Sequence, residues 1–125
     1  MRLARRMRAQ RLDTSLSLSQ LAALATLERH GSMTPGELAA HEKVQPPSMT
    51  RIVATLETAG LVNRTPDPHD GRQVLLSPSA AGVTLLREDR KRREEWLAQR
   101  LRDLDPQDRA VLRQATEILD RLAGS

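Results

Sequence analysis

"PPSMTRIVATLETAGLVNRTPDPHDGRQVLLS", residues 46–77, changes its hydrophobic period part-way along, and that change decides the fold. Up to Thr58 the apolar residues Met49, Ile52, Val53 and Leu56 recur at i, i+3, i+4 and i+7, the spacing of one helical face. Pro46 and Pro47 fit only the opening positions of such a helix, where no amide donor is needed, and Gly60 ends it. The opposite face carries Thr50, Arg51, Ala54, Thr55 and Thr58. These side chains are small or polar apart from one guanidinium, so another surface can come close while Arg51 reaches out. Beyond Gly60 the runs "LVNRT" (61–65) and "QVLLS" (73–77) read as short strands. Between them "PDPHDG" supplies turn residues, with Gly71 able to take positive φ, and the three pieces predict a β-hairpin.

Outward toward the N-terminus, two helices precede this pair. Thr34, Pro35 and Glu37 form a capping signal for a short helix over about residues 35–42, and Ser17 with Gln20 does the same for a helix that Gly31 stops. Residues 3–12 read as a basic amphipathic helix with Leu3, Met7 and Leu12 on one side, interrupted by Asp13, Thr14 and Ser15. Helix, short helix, longer helix and hairpin is the order of a winged helix-turn-helix, so the fold class is mainly α with a small β-hairpin (α+β). In that arrangement the exposed face of residues 46–58 suits a major groove, where Arg, Thr and Ser near a helix N-terminus reach base edges or phosphates. Arg72 then stands on a hairpin tip beside the adjacent minor groove, whose negative potential attracts arginine.

The stretches "TPGELA" (34–39), "PPSMTRIVATLETAGLVNRTPDPHDGR" (46–72) and "SAAG" (79–82) resemble the MarR family of bacterial transcription regulators, strongest over residues 33–82 and extending over essentially the whole chain. The resemblance implies a homodimeric winged-helix regulator, a repressor in the first instance, that binds a pseudo-palindromic operator in double-stranded DNA and is often released by a small-molecule effector. On its motif positions Ser48, Thr50 and Arg51 look like recognition-helix contacts and Arg72 like the minor-groove arginine of the wing, with Asp70 similar to the acid that orients it. The expected reading set is Pro47, Ser48, Thr50, Arg51 and Thr55 on the helix and Asp70, Gly71 and Arg72 on the wing. Two departures stand out. Gly71 occupies a position where the family commonly has arginine, and Pro78-Ser79 replaces a Leu-Thr pair, with Ser79 still able to cap the next helix.

Residues 79–101 predict that long helix, its centre from Arg87 to Glu95 so charged that it is expected to be solvated or salt-bridged. Asp105 and Pro106 start a last helix bearing Val111, Leu112, Ala115, Ile118, Leu119 and Leu122 as a broad apolar stripe. The chain has little left to cover that stripe, so it is expected to pair with a second copy, the interface drawing on Leu3 and Met7 as well and lying within residues 1–12 and 104–122. The organisation expected is an N-terminal dimerisation helix (1–16), a winged helix-turn-helix domain (17–86), and a linker helix with a C-terminal dimerisation helix (87–125).

Composition sets the limits. The 125 residues suit one small core, kept aliphatic by a single Trp and no Phe or Tyr. There is no cysteine, hence no thiolate chemistry, and no apolar run or leader pattern that argues for a membrane, so the cytoplasm is the expected location. The net charge of +4 is uneven: residues 1–30 hold six arginines against Asp13 and Glu28, whereas residues 31–78 hold four bases against five acids. DNA affinity would therefore rest on a few placed cations. His30, His41 and His69 are scattered without metal-ligand spacing, Glu37 and His41 are expected to form a surface pair, and no nucleophile or phosphate-cradling motif occurs, so neither enzyme activity, metal nor cofactor is expected. Trp96 either packs or lines a ligand cavity. The alternative to DNA reading is a winged-helix protein-interaction module, which would ordinarily need aromatic anchors where this chain has only Trp96.

Overall fold

The computed structural model describes residues 2–9 and 16–124, apart from the side chain of Arg8. Leu12 and the expected break at Asp13, Thr14 and Ser15 lie outside them. The elements are α1 (Arg2–Arg8), α2 (Leu18–His30), α3 (Pro35–Glu42), α4 (Pro46–Thr58), β1 (Val62–Pro66), β2 (Val74–Pro78), α5 (Ala80–Arg102) and α6 (Pro106–Leu122). They form two compact units, one of residues 11–90 and one of residues 1–10 with 91–125. The expected helix over 3–12 is corrected to Arg2–Arg8.

In the larger unit the helix starts follow the capping signals. Ser17 Oγ accepts from the Gln20 amide at 3.1 Å while Gln20 Oε1 accepts from the Ser17 amide at 2.9 Å. Thr34 and Glu37 repeat the exchange at 3.1 and 3.4 Å. Lys43 closes α3 in the left-handed region at φ 57°, which lets its amide bond back to Ala39 and Ala40 and turns the chain into α4. Gly60, at φ 74°, makes the corresponding turn out of α4.

β1 and β2 pair antiparallel, with Val62 opposite Pro78, Arg64 opposite Leu76 and Pro66 opposite Val74. Each strand starts one residue later than its sequence pattern indicates. Leu61 still donates to Leu56 O at 2.9 Å and so belongs to the close of α4, and the Gln73 amide closes the turn on Asp70 O at 3.0 Å. Gly71 does not use the positive φ open to it. Asp67 Oδ1 accepts from the His69 amide at 2.8 Å and Asp70 Oδ1 from the Arg72 amide at 3.1 Å, so two aspartate turns shape the tip without a left-handed glycine. A third participant in the sheet, invisible as a strand pattern, is Met33: its amide donates to Leu76 O at 3.1 Å and its carbonyl accepts from Leu76 N at 2.7 Å.

The core of this unit is aliphatic throughout, running from Leu16, Leu24 and Leu27 through Leu38, Met49, Val53 and Leu56 to Leu61, Leu76 and Leu86. Where α5 begins, Ser79 Oγ donates to Gly60 O at 2.6 Å and accepts from the Gly82 amide at 3.0 Å, so it caps the helix as expected. Pro78 is accommodated as the last strand residue. Gly82 is packed so tightly that a Cβ there would stand 2.3 Å from Leu61 O. Farther along α5, within the charged stretch expected to be solvated or salt-bridged, Asp89 is buried at 3% exposure, so solvation is not its part of that alternative.

In the smaller unit Asp105 caps α6 by accepting from the Asp108 amide at 2.8 Å. The stripe on α6 lies open, Leu119 at 62% and Leu122 at 78% exposure, with Val111, Leu112 and Ile118 also exposed and Ala115 half-buried. On α1 Leu3 is exposed and Met7 half-buried. Among the described residues no helix is long and apolar enough to cross a membrane.

Candidate nucleic-acid interface

α4 separates its faces as its sequence period requires. Met49, Val53 and Leu56 are buried and Ile52 half-buried, while Pro47, Thr50, Arg51, Ala54, Thr55 and Thr58 are exposed and Ser48 is half-buried. On the open face the Thr50 hydroxyl donates to Pro46 O at 3.0 Å and the Thr55 hydroxyl to Arg51 O at 3.1 Å. With their protons committed to the helix, both present lone pairs and a methyl group outward. The Arg51 guanidinium lies 3.5 Å from Ser48 Oγ, at the outer limit of a hydrogen bond, and is free to extend.

On the hairpin the Arg72 side chain is 93% exposed, yet its base is held. Asp70 Oδ1 takes both the Arg72 amide at 3.1 Å and its Nε at 3.4 Å. Gly71, between them, is exposed. α4 and β1 are tied by an ion pair that no sequence period signals, Arg64 Nη2 donating to Glu57 Oε1 at 2.6 Å and Nε to Oε2 at 3.3 Å. This hydrogen bond is the main reason that the Glu57 carboxyl sits below its ordinary value, its partial burial opposing and the Arg64 charge assisting. α2 is tied to α3 by the buried Thr26 hydroxyl, which donates to Glu42 Oε1 at 2.7 Å and accepts from Arg29 Nη2 at 3.3 Å. α5 is tied to α2 by Arg90 donating to Glu28 at 3.0 Å.

His30 and His41 sit on α2 and α3, and His69 lies at the wing tip, where its amide donates to Asp67 Oδ1. His41 does not make the expected pair with Glu37; its ring stands edge-on to His30 at 4.9 Å, and Glu37 is engaged by the α3 cap. Among the described residues no cluster of three or more His, Cys, Asp or Glu could hold a metal ion. In the smaller unit Trp96 is half-buried with the guanidiniums of Arg6 and Arg100 at 5.6 and 5.3 Å from its ring centre. It borders an open cleft of about 420 Å³ lined also by Arg92, Glu95, Ala98, Gln99 and Arg102.

The sequence pattern of the MarR family matches residues 16–74, which take in α2, α3, α4, β1 and the hairpin tip. Over 119 residues the chain is 50% identical to the HTH-type transcriptional regulator MT0903.1 of Mycobacterium tuberculosis, covering 95% of this chain and 83% of that one. The chain belongs to the MarR family. It is a winged-helix transcriptional regulator rather than an enzyme. Among solved structures, RV1404 of M. tuberculosis superposes with a TM-score of 0.83 at 26% identity, over 99% of this chain and 84% of that one. A MarR variant from E. coli, solved in complex with operator DNA, shares the fold with a TM-score of 0.68 at 22% identity, over 94% and 85% of the two chains. Within this MarR-family frame the Gly71 departure leaves the Asp70–Arg72 contact intact, and Ser79 performs the capping expected of it in place of threonine.

Proposed function

We propose that this regulator reads double-stranded DNA as a homodimer, with Ser48, Thr50, Arg51 and Thr55 of α4 in a major groove and Arg72 of the wing in the neighbouring minor groove. The observation that carries the reading is the wing: a guanidinium 93% exposed while Asp70 orients its base. An arginine held out and aimed, but given no partner beyond its own turn, suits an external anion. Arg51 is the donor of the helix and suits guanine O6 and N7; Thr50 and Thr55, whose protons are already used, suit an amino group or a thymine methyl. Pro47 opens the helix and carries no donor, so its part is shape.

The apolar stripe of α6 with Leu3 and Met7 is the proposed dimer surface. Two copies related by a two-fold axis would each cover the other's stripe, and would place two reading heads on half-sites about one helical turn apart. Domain roles follow: residues 17–86 read DNA, and residues 1–16 and 87–125 pair the copies. The Trp96 cleft, ringed by Arg92, Gln99 and Arg102, is the proposed seat of a small-molecule effector, and a DNA ligand places the protein in the cytoplasm.

Fluorescence anisotropy against a random duplex at two salt concentrations tests the reading. Affinity should fall steeply as salt rises, because each phosphate neutralised releases counterions. Binding that ignores salt, or none at all, would transfer the same helices to a protein partner.

A further inference from the structure

We infer that the Asp70–Gly71 peptide bond is a site of spontaneous succinimide formation and isoaspartate conversion, so that the wing of this regulator carries a chemical modification site beside its DNA-directed arginine. The sequence singles out the position. Of the chain's aspartates only Asp70 precedes a glycine; Asp67 and Asp105 precede prolines, which have no amide proton to lose, and the others precede Thr, Arg or Leu. The structure then supplies access and orientation. Gly71 is exposed, and apart from its chain neighbours nothing lies within 4 Å of where its Cβ would be, so that side of the peptide is open. Asp70 Oδ1 bonds to the Arg72 amide at 3.1 Å, which folds the carboxyl back across the Asp70–Gly71 peptide and brings Cγ alongside the Gly71 nitrogen. The Arg72 Nε at 3.4 Å from the same oxygen offsets the negative charge that would repel an incoming lone pair.

The reaction needs only water. The Gly71 nitrogen loses its proton and bonds to Asp70 Cγ, the Cγ–O bond breaks, and that oxygen leaves as water, closing a five-membered imide. Water then adds to one of the two imide carbonyls. Cleavage of the new Cγ–N bond restores aspartate, whereas cleavage of the original C–N bond leaves the chain running through the side-chain carbon. No electrons are exchanged. The second product inserts one methylene into the backbone at the wing tip and removes the carbonyl acceptor of the Gln73 amide and the carboxylate acceptor of Arg72 from their places.

The test is chemical and independent of DNA. The full chain is held at neutral pH in water enriched in oxygen-18, then cut with trypsin, and the peptide of residues 65–72 is resolved by chromatography. We expect that peptide to split into two isobaric forms, both gaining the heavy isotope, one of them accepting a methyl group from an isoaspartate methyltransferase. Gly71→Ala, which adds a Cβ beside the nitrogen, should slow the splitting roughly tenfold. Asp70→Glu, which would need a six-membered ring, should abolish it. A single unlabelled peptide after prolonged incubation, or an equal rate in Gly71→Ala, overturns the inference. The effect on operator affinity rests on the DNA reading above: converted protein should bind operator less tightly, and undiminished affinity in a fully converted sample would overturn the role given to the wing while the modification site stands.

Discussion

Gly82 is the residue on which two elements close. A Cβ would meet Leu61 O at 2.3 Å and Leu24 Cδ1 at 3.2 Å, and the first of these is backbone that cannot swing aside. Gly82→Ala should therefore push the start of α5 off the turn between α4 and β1 and destabilise the fold by about 1–3 kcal/mol, read as a lowered denaturation midpoint with an unchanged slope. Arg51 and Arg72 are the opposite kind of residue, outside the core and replaceable without structural loss. Either Arg→Ala change should leave stability within about 0.5 kcal/mol of the parent. Arg51→Ala should weaken binding by about 1–3 kcal/mol at particular operator positions, as base readers do; a loss uniform across a mutated operator set would make Arg51 a phosphate clamp instead.

Among elements, the pairing of α4 with β1 through Glu57 and Arg64 has a definite acid dependence. The folded-state carboxyl is below its ordinary value of 4.5, so its contribution is fully present above that value and is lost as pH falls through the lowered one. Both side chains are partly exposed, so the contribution is at most about 0.5–1 kcal/mol. The stability gap between the parent and Glu57→Gln should be open at neutral pH and close as pH falls through the lowered carboxyl value; a gap that persists in acid would show that Glu57 acts through packing. This pair also marks where sequence reading stops. Helix starts at Ser17, Thr34 and Asp105 were legible because a cap is a local exchange between residues three apart, and the two faces of α4 because a helix has a fixed period. The Glu57–Arg64 bond depends on how β1 leaves α4, the Met33 bridge is one residue long and has no period, and the burial of Asp89 falls in a stretch whose charge was compatible with either water or ion pairs. The turn residues of 66–71 were legible as a group, but which of them shape the tip was not: the two aspartates do so through side-chain acceptors, without the positive φ open to Gly71.

For the molecule as a whole the proposed pairing of two copies rests on the exposed stripe of α6. Leucines 62% and 78% exposed on a helix whose other faces are charged are a large patch for a lone chain to present to water. Leu119→Glu with Leu122→Glu should give a folded monomer with much weakened operator binding, since each head would make only half the contacts. Sedimentation of the unaltered protein as a monomer at micromolar concentration, with full operator affinity, would remove the dimer from the account.

The two hydrogen bonds between Met33 and Leu76, at 3.1 and 2.7 Å between buried residues, give the hairpin the mechanics of a cantilever. It is clamped at Leu76 and unsupported at Arg72, four residues nearer the tip. Compliance should grow along its length, so the Leu76 and Met33 amides should exchange with deuterated water only when the unit opens as a whole, while the Gly71 amide exchanges almost as fast as in a free peptide and the Arg72 amide, held by Asp70 Oδ1, falls between. An arm stiff at the shoulder and loose at the fingertip can follow grooves of differing width without disturbing the helix beside it.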